Sequence, residues 1–205
     1  MSVETRESRG LLPGRADLTG ARLRLFETAL VLFGDRGYHA VSVRDLMTEL
    51  GQQPGALYFH VANKEHLLFE LVKIGLDVHR ERLKGALLDA GRDPVDQVRA
   101  VVVAHVLAHL DHPELARVTN RELRALTGES MATATAMRAE NARILLDVIE
   151  RGIQLKAFGV AESALAVQAI GAMGVRAVEW WTPDSPYTKD HVASTYGDFA
   201  LKVLS

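Results

Sequence analysis

Residues 42–64, SVRDLMTELGQQPGALYFHVANK, read as two short helices about a tight glycine turn. Ser42 is a favourable helix cap, and Asp45, three residues on, can reach back to it in a capping box. Val43, Leu46, Met47 and Leu50 then recur at helical spacing, so this helix buries one face. Gly51 supplies the positive φ of a turn. Pro54 suits the first turn of a second helix, where its missing N–H costs nothing. Gly55 and Ala56 keep the start of that helix slim enough to approach another surface, and Tyr58 and His60 follow with donors for phosphate oxygens. The spacing predicts a helix-turn-helix whose second helix enters DNA, with Ser42, Arg44, Gln53, Pro54, Gly55, Ala56, Tyr58, His60 and Lys64 as its contact set.

Two of these residues invite a choice. Asn63 caps the next helix, yet Lys64 sets a cation beside the positive end of the helix dipole. A DNA phosphate would satisfy both the lysine and the exposed N–H groups of the first turn; a lysine pointing into solvent is the alternative. Gln53 can pair bidentately with adenine, or stay solvated in the turn.

These residues carry a resemblance to the TetR family of bacterial transcriptional regulators, over roughly residues 18–72. The matching features are Leu32-Phe33 and Gly37-Tyr38 closing a first helix, the SVRDL helix start, Gly51, and PGALYFH running into NKEHLL. Gln52 and Gln53 stand where the family usually has an apolar residue and a serine, and Val61 replaces a common phenylalanine. The resemblance implies an all-α protein. A three-helix DNA-binding domain (18–72) follows a flexible arm (1–17), and a long helix fuses it to a larger helical ligand-binding and dimerisation domain (73–205).

Composition sets limits. The 205 residues suffice for one or two modest cores, and without cysteine no disulfide or thiolate metal site can form. The polar start MSVETRESRG lacks the apolar core of a signal peptide and no run is long enough to span a bilayer, so a cytoplasmic location is expected, with no membrane partner. Net charge is −2. Residues 1–73 hold as many acidic as basic side chains, so DNA contacts must come from a local grouping of Arg22, Arg24, Arg44, His60 and Lys64, with Arg6, Arg9 and Arg15 on the arm.

Beyond Asn63 the pattern stays helical: a long helix to about residue 88, then segments near 94–110, 113–126, 129–155, 162–182 and 188–204. Asp93-Pro94 and His112-Pro113 both read as a cap followed by proline. No Gly-rich phosphate loop or nucleophile motif occurs, so neither an enzyme nor a bound cofactor is expected. His105, His109 and His112 lie at helical spacing, which leaves a metal site open, although pocket or surface histidines fit as well.

Polar side chains on otherwise apolar stripes mark a candidate ligand site: Thr119 and Glu122; Asn141 beside Met137 and Ile144; Gln168 and Arg176 beside Leu165, Ala169, Ala172 and Met173. Buried polar groups need partners, supplied either by one another or by a ligand in an apolar cavity. Val192, Tyr196, Phe199, Ala200 and Val203 stripe the last helix and either close the core or meet a second copy. The resemblance favours the latter, a two-fold homodimer presenting two recognition helices to successive major grooves of an operator.

Residues 137–204 are also similar to the C-terminal domains of TetR-type regulators of lipid and steroid catabolism, through the arginine-rich helix ending at Ile153, the Ala157-Phe158-Gly159 turn and the Trp180-Trp181-x-Pro183 helix end. That likeness implies a small apolar effector such as an acyl-CoA thioester, with Arg138, Arg143 and Arg176 available for its phosphates. The expected function is a ligand-responsive repressor released from a palindromic operator. A transcriptional activator, or a helical-bundle carrier or enzyme with a vestigial DNA motif, are the alternatives.

Overall fold

The computed structural model describes residues 11–14 and 17–205, all of whose regular elements are helical. The arm cations Arg6, Arg9 and Arg15 lie outside the described residues. Leu12 does not behave as part of an arm: it and Leu18 are buried in the N-terminal core, with Leu11 against it. The apolar pair Leu11-Leu12 before Pro13 had enough surface to bury, and the absence of periodicity hid it.

Helix α1 (Gly20–Arg36) buries Leu25, Phe26, Ala29, Leu30, Leu32 and Phe33, then stops at Gly37, whose N–H returns to the Phe33 carbonyl. Phe26 and Phe33 are fully enclosed, and truncating such a side chain to alanine costs about 3–5 kcal/mol. Helix α2 (Val43–Glu49) opens with the capping box: Ser42 Oγ accepts from Asp45 N, and Asp45 Oδ2 accepts from Ser42 N at 2.8 Å. After Gly51, at φ 65°, the chain forms a 3₁₀ helix, Pro54–Phe59. Helix α3 (Lys64–Asp89) begins with Asn63 Oδ1 accepting from His66 N and continues without a break.

Helix α4 (Pro94–Asp111) is apolar nearly all round and therefore sits in the middle of the larger bundle, against α3, α6 (Gly128–Gln154), α7 (Ser163–Trp180) and α8 (Lys189–Leu204). Asp93 caps it through Val95 N at 2.8 Å. His112 gives no such cap to α5 (Pro113–Arg121). The segment expected to be one helix to residue 126 divides, its end tightening into a 3₁₀ turn, Glu122–Ala125.

The cores do not separate at the long helix. Leu115, Val118, Leu123, Leu126 and Ala134 belong to the same apolar cluster as Phe26, Leu46, Leu57 and Leu67. Glu65 Oε1 accepts from the Thr127 amide and hydroxyl at 2.8 and 2.9 Å, joining the start of α3 to that of α6. Gly75 of α3 is a notch: a Cβ there would lie 2.1 Å from Thr119 Oγ1. No helix among the described residues is long and apolar enough to cross a membrane.

Candidate nucleic-acid face and interior cavity

Leu57 anchors the 3₁₀ helix in the N-terminal core, and that single buried residue turns its neighbours outward. Gln52, Gln53, Pro54 and Gly55 are exposed, as are Ser42 and Arg44 across the turn; Ala56 and His60 are half-buried. Tyr58 is 62 % exposed and Phe59 88 %. Phe59 was absent from the expected set, whose larger side chains were chosen as hydrogen-bond donors, whereas a bare aromatic ring on such a face is available for sugar or base-methyl contact. The element is a six-residue 3₁₀ helix rather than an α-helix, since Gly55 between Pro54 and Ala56 adds little helix propensity.

Lys64 is not on this face in the way expected. Its Nζ turns inward and donates to the carbonyls of Tyr38 and Val41 at 3.0 and 2.7 Å, 4.0 Å from the centre of the Tyr38 ring. The turn between α1 and α2 leaves those carbonyls without helical partners, and the lysine supplies them. Burial lowers the ammonium pKa, and the nearby Asp45 opposes that shift. Arg22 is likewise committed, donating to His60 O at 2.6 Å and reaching Glu70 at 3.4 Å. Arg24 and Arg44 keep exposed side chains.

Inside the bundle a cavity of about 590 Å³ is walled by α3, α4, α5, α6 and α7. Its lining is largely apolar, from Leu76, Leu83, Val101, Leu115, Leu145 and Ile170, with Arg124 and Arg138 among the polar exceptions. Of the candidate ligand residues, Thr119, Asn141, Gln168 and Ala172 line it. The others do not. Glu122 turns to the DNA head, where its Oε2 accepts from Tyr38 N at 3.2 Å. Met137 packs on the N-terminal core, and Ile144 and Met173 pack on the cluster around α4. Leu165, Ala169 and Arg176 lie exposed on the outer side of α7. The small residues of α7 populate every face, so periodicity alone could not fix which side looked inward. Arg143 pairs with Asp147 at 2.6 Å, while Arg138 donates to Asn120 Oδ1 at 2.6 Å.

Thr119 Oγ1 and Asn141 Oδ1 are buried side-chain oxygens to which no group among the described residues donates. The Asn141 amide donates to Leu76 O at 2.9 Å and approaches His79 Nδ1 at 3.3 Å. His79, His105 and His109 meet at the cavity wall. His112 also lines the cavity but stands apart from them. Burial holds all three clustered imidazoles below the usual histidine pKa, and the neighbouring histidines lower those of His79 and His109 further, which favours uncharged rings. His79 was missed, although it lies between Leu76 and Leu83 on the buried stripe of α3, the same signal that singled out Asn141.

The stripe on α8 divides as well. Val192 and Ala200 are buried against α4 and Tyr196 is half-buried; these close the protomer's own core. Phe199 and Val203 remain 44 % and 42 % exposed, and on α7 Leu165 (67 %) and Trp180 (47 %) are exposed apolar side chains as well.

Two family models match: bacterial regulatory proteins of the tetR family over residues 25–71, and the tetracyclin repressor-like C-terminal domain over residues 91–204. The HTH-type transcriptional repressor KstR2 of Mycobacterium tuberculosis is 27 % identical over 177 residues, spanning 85 % of this chain and 88 % of that protein. A tetR-family regulatory protein from Rhodococcus RHA1 superposes with a TM-score of 0.85 at 26 % identity, covering 91 % of this chain and 98 % of the other. AibR, crystallised with isovaleryl coenzyme A and operator DNA, gives a TM-score of 0.77 at 24 % identity over 85 % of this chain and 95 % of its own. With both halves matched and the helix-turn-helix face laid out as described, the chain belongs to the TetR family and is a DNA-binding transcriptional regulator.

Proposed function

We propose that this regulator is a homodimeric repressor acting in the cytoplasm, released from a palindromic operator when an apolar effector enters the cavity. DNA contact falls to residues 18–72, through Ser42, Arg44, Gln53–Gly55 and Tyr58, with Phe59 added. Effector binding and dimerisation fall to residues 73–205. The observation that carries the reading is the position of α5. It walls the cavity with Leu115, Ala116 and Thr119, and it contributes Leu115 and Val118 to the core of the DNA head. A ligand that shifts α5 therefore acts on the head directly, which is the differential contact a population shift requires.

The chemistry of the cavity supports an effector with a long apolar part and a polar end. Thr119 Oγ1 and Asn141 Oδ1 await donors, and Arg124 and Arg138 offer charge to an anionic group. An acyl-CoA thioester fits this description, and AibR's isovaleryl coenzyme A is an example of the class. The exposed apolar side chains of α7 and α8 support the dimer. The test is anisotropy of a labelled operator fragment titrated with acyl-CoAs, the matching free acids and CoA alone. Release by the thioester but by neither the acid nor CoA identifies the class, and equal release by acid and thioester removes CoA from it.

A further inference from the structure

We propose that His79, His105 and His109 form a transition-metal site in the cavity wall, with one coordination position open to the cavity. His105 and His109 stand one turn apart on α4 and so share a face, and His79 meets them from α3. The ring centres are 5.0, 5.4 and 4.6 Å apart, and one ligand nitrogen from each lies within 4.8 Å of the others. His79 Nε2 and His105 Nδ1 already approach to 2.8 Å. Two nitrogens on one tetrahedral zinc, each bound at about 2.0–2.1 Å, stand roughly 3.4 Å apart. Replacing their shared proton by a metal therefore needs only a small opening.

The surroundings are those of ligating histidines. His109 Nδ1 donates to His105 O at 2.8 Å and His105 Nε2 donates to Gly171 O at 3.0 Å. His105 and His109 thus each have one nitrogen tied to a backbone carbonyl, the arrangement that orients metal-bound histidine, while His79 sits between His105 Nδ1 at 2.8 Å and the Asn141 amide at 3.3 Å. The fold makes a specific place for His105: a Cβ at position 174 would lie 2.3 Å from its ring, so only glycine on α7 admits it. Three neutral imidazoles favour zinc, nickel, copper or cobalt over magnesium or calcium. No carboxylate among the described residues joins the cluster, and Arg138 faces the same cavity. A bound dication keeps its charge there, so its open position takes an anion.

Cobalt(II) added to the full-length protein, purified without a histidine tag, provides the test. The expected result is one cobalt per protomer with an intense visible band, shifted by azide and displaced by zinc. His79→Gln and His109→Gln should each abolish the band, and His112→Gln should leave it intact. Circular dichroism of each variant separates loss of the site from loss of the fold, and the two substitutions on different helices are independent probes. A band that survives both, or no stoichiometric cobalt binding to the native chain, overturns the site. A band unmoved by azide overturns the open position.

Discussion

Lys64→Met separates two roles for a residue that sequence places at a phosphate and structure places in a turn. The methionine keeps the apolar stem beside Tyr38 while removing the ammonium that donates to two carbonyls at 3.0 and 2.7 Å. Hydrogen bonds from a charged donor contribute roughly 1.5–3 kcal/mol each, and a cation over a tyrosine ring adds about 0.5–1 kcal/mol. The ammonium is only partly buried and water would reclaim one carbonyl in its absence, so the net loss is about 1–3 kcal/mol rather than the sum. For a chain of this size each kcal/mol moves Tm by about 2–4 °C. Thermal unfolding should therefore show a Tm lower by about 2–12 °C, and the urea midpoint should fall with it. The salt dependence of binding to non-specific duplex, measured by anisotropy well below the new Tm, should be unchanged. A lysine bound to phosphate would behave oppositely, because each lost contact reduces the slope of log K against log salt by about 0.9. Unaltered stability with a flattened slope would refute the inward placement.

Gly75→Ala should destabilise by roughly 1–2 kcal/mol in urea, because a Cβ 2.1 Å from Thr119 Oγ1 costs more than the ~1 kcal/mol that alanine's helix propensity returns; adding Thr119→Ala should recover most of it, and additive losses would show that the notch is not where the strain arises. Phe199→Asp should give monomers by light scattering that keep the native helical circular dichroism, since Phe199 is 44 % exposed in the single chain, with Tm lowered only by the lost association, and operator affinity should fall with dimerisation; a monomer binding as tightly as the native protein would sink the dimer. Tyr58→Phe should weaken binding to all duplexes alike, whereas Gln53→Ala should change preference at one position of each half-site, read from a library of substituted operators. A uniform effect of Gln53→Ala would assign it to the backbone or to solvent.

The helical order and the DNA head were legible because their signals are local. The capping box at Ser42, the glycine at 51 and the apolar spacing of α1 each depend on residues within one or two turns. What escaped reading depends on partners far away in sequence. Lys64 is claimed by a turn more than twenty residues earlier, and Glu122 by the amide of Tyr38. The inner side of α7 is chosen by where His105 and the cavity lie, and its evenly spread alanines and glycines carry no phase of their own. His112 and His79 exchange places for a similar reason: spacing along α4 can nominate histidines on one helix, but only packing brings in the one from α3.

Glu122 and Lys64, both assigned elsewhere by sequence, meet at one residue. Glu122 holds the Tyr38 amide and Lys64 holds the Tyr38 carbonyl, so the turn between α1 and α2 is clamped from the effector side by the end of α5 and from the DNA side by the start of α3. Gly34, two residues before the end of α1, faces Val118 of α5: a Cβ there would lie 3.8 Å from its side chain. On the cavity side of α5, Thr119 fills the Gly75 notch of α3. A ligand engaging Thr119 cannot shift α5 alone, since α3 blocks it through that notch and α1 and the Tyr38 turn are attached to its far side. The path from cavity to recognition element is therefore two packed contacts and one clamped turn. A nearly complete switch of such an equilibrium needs about 5.5 kcal/mol of differential binding. Of the apolar burial in the cavity and the bonds to its two buried oxygens, only the part made in one arrangement of α5 and not in the other counts towards it.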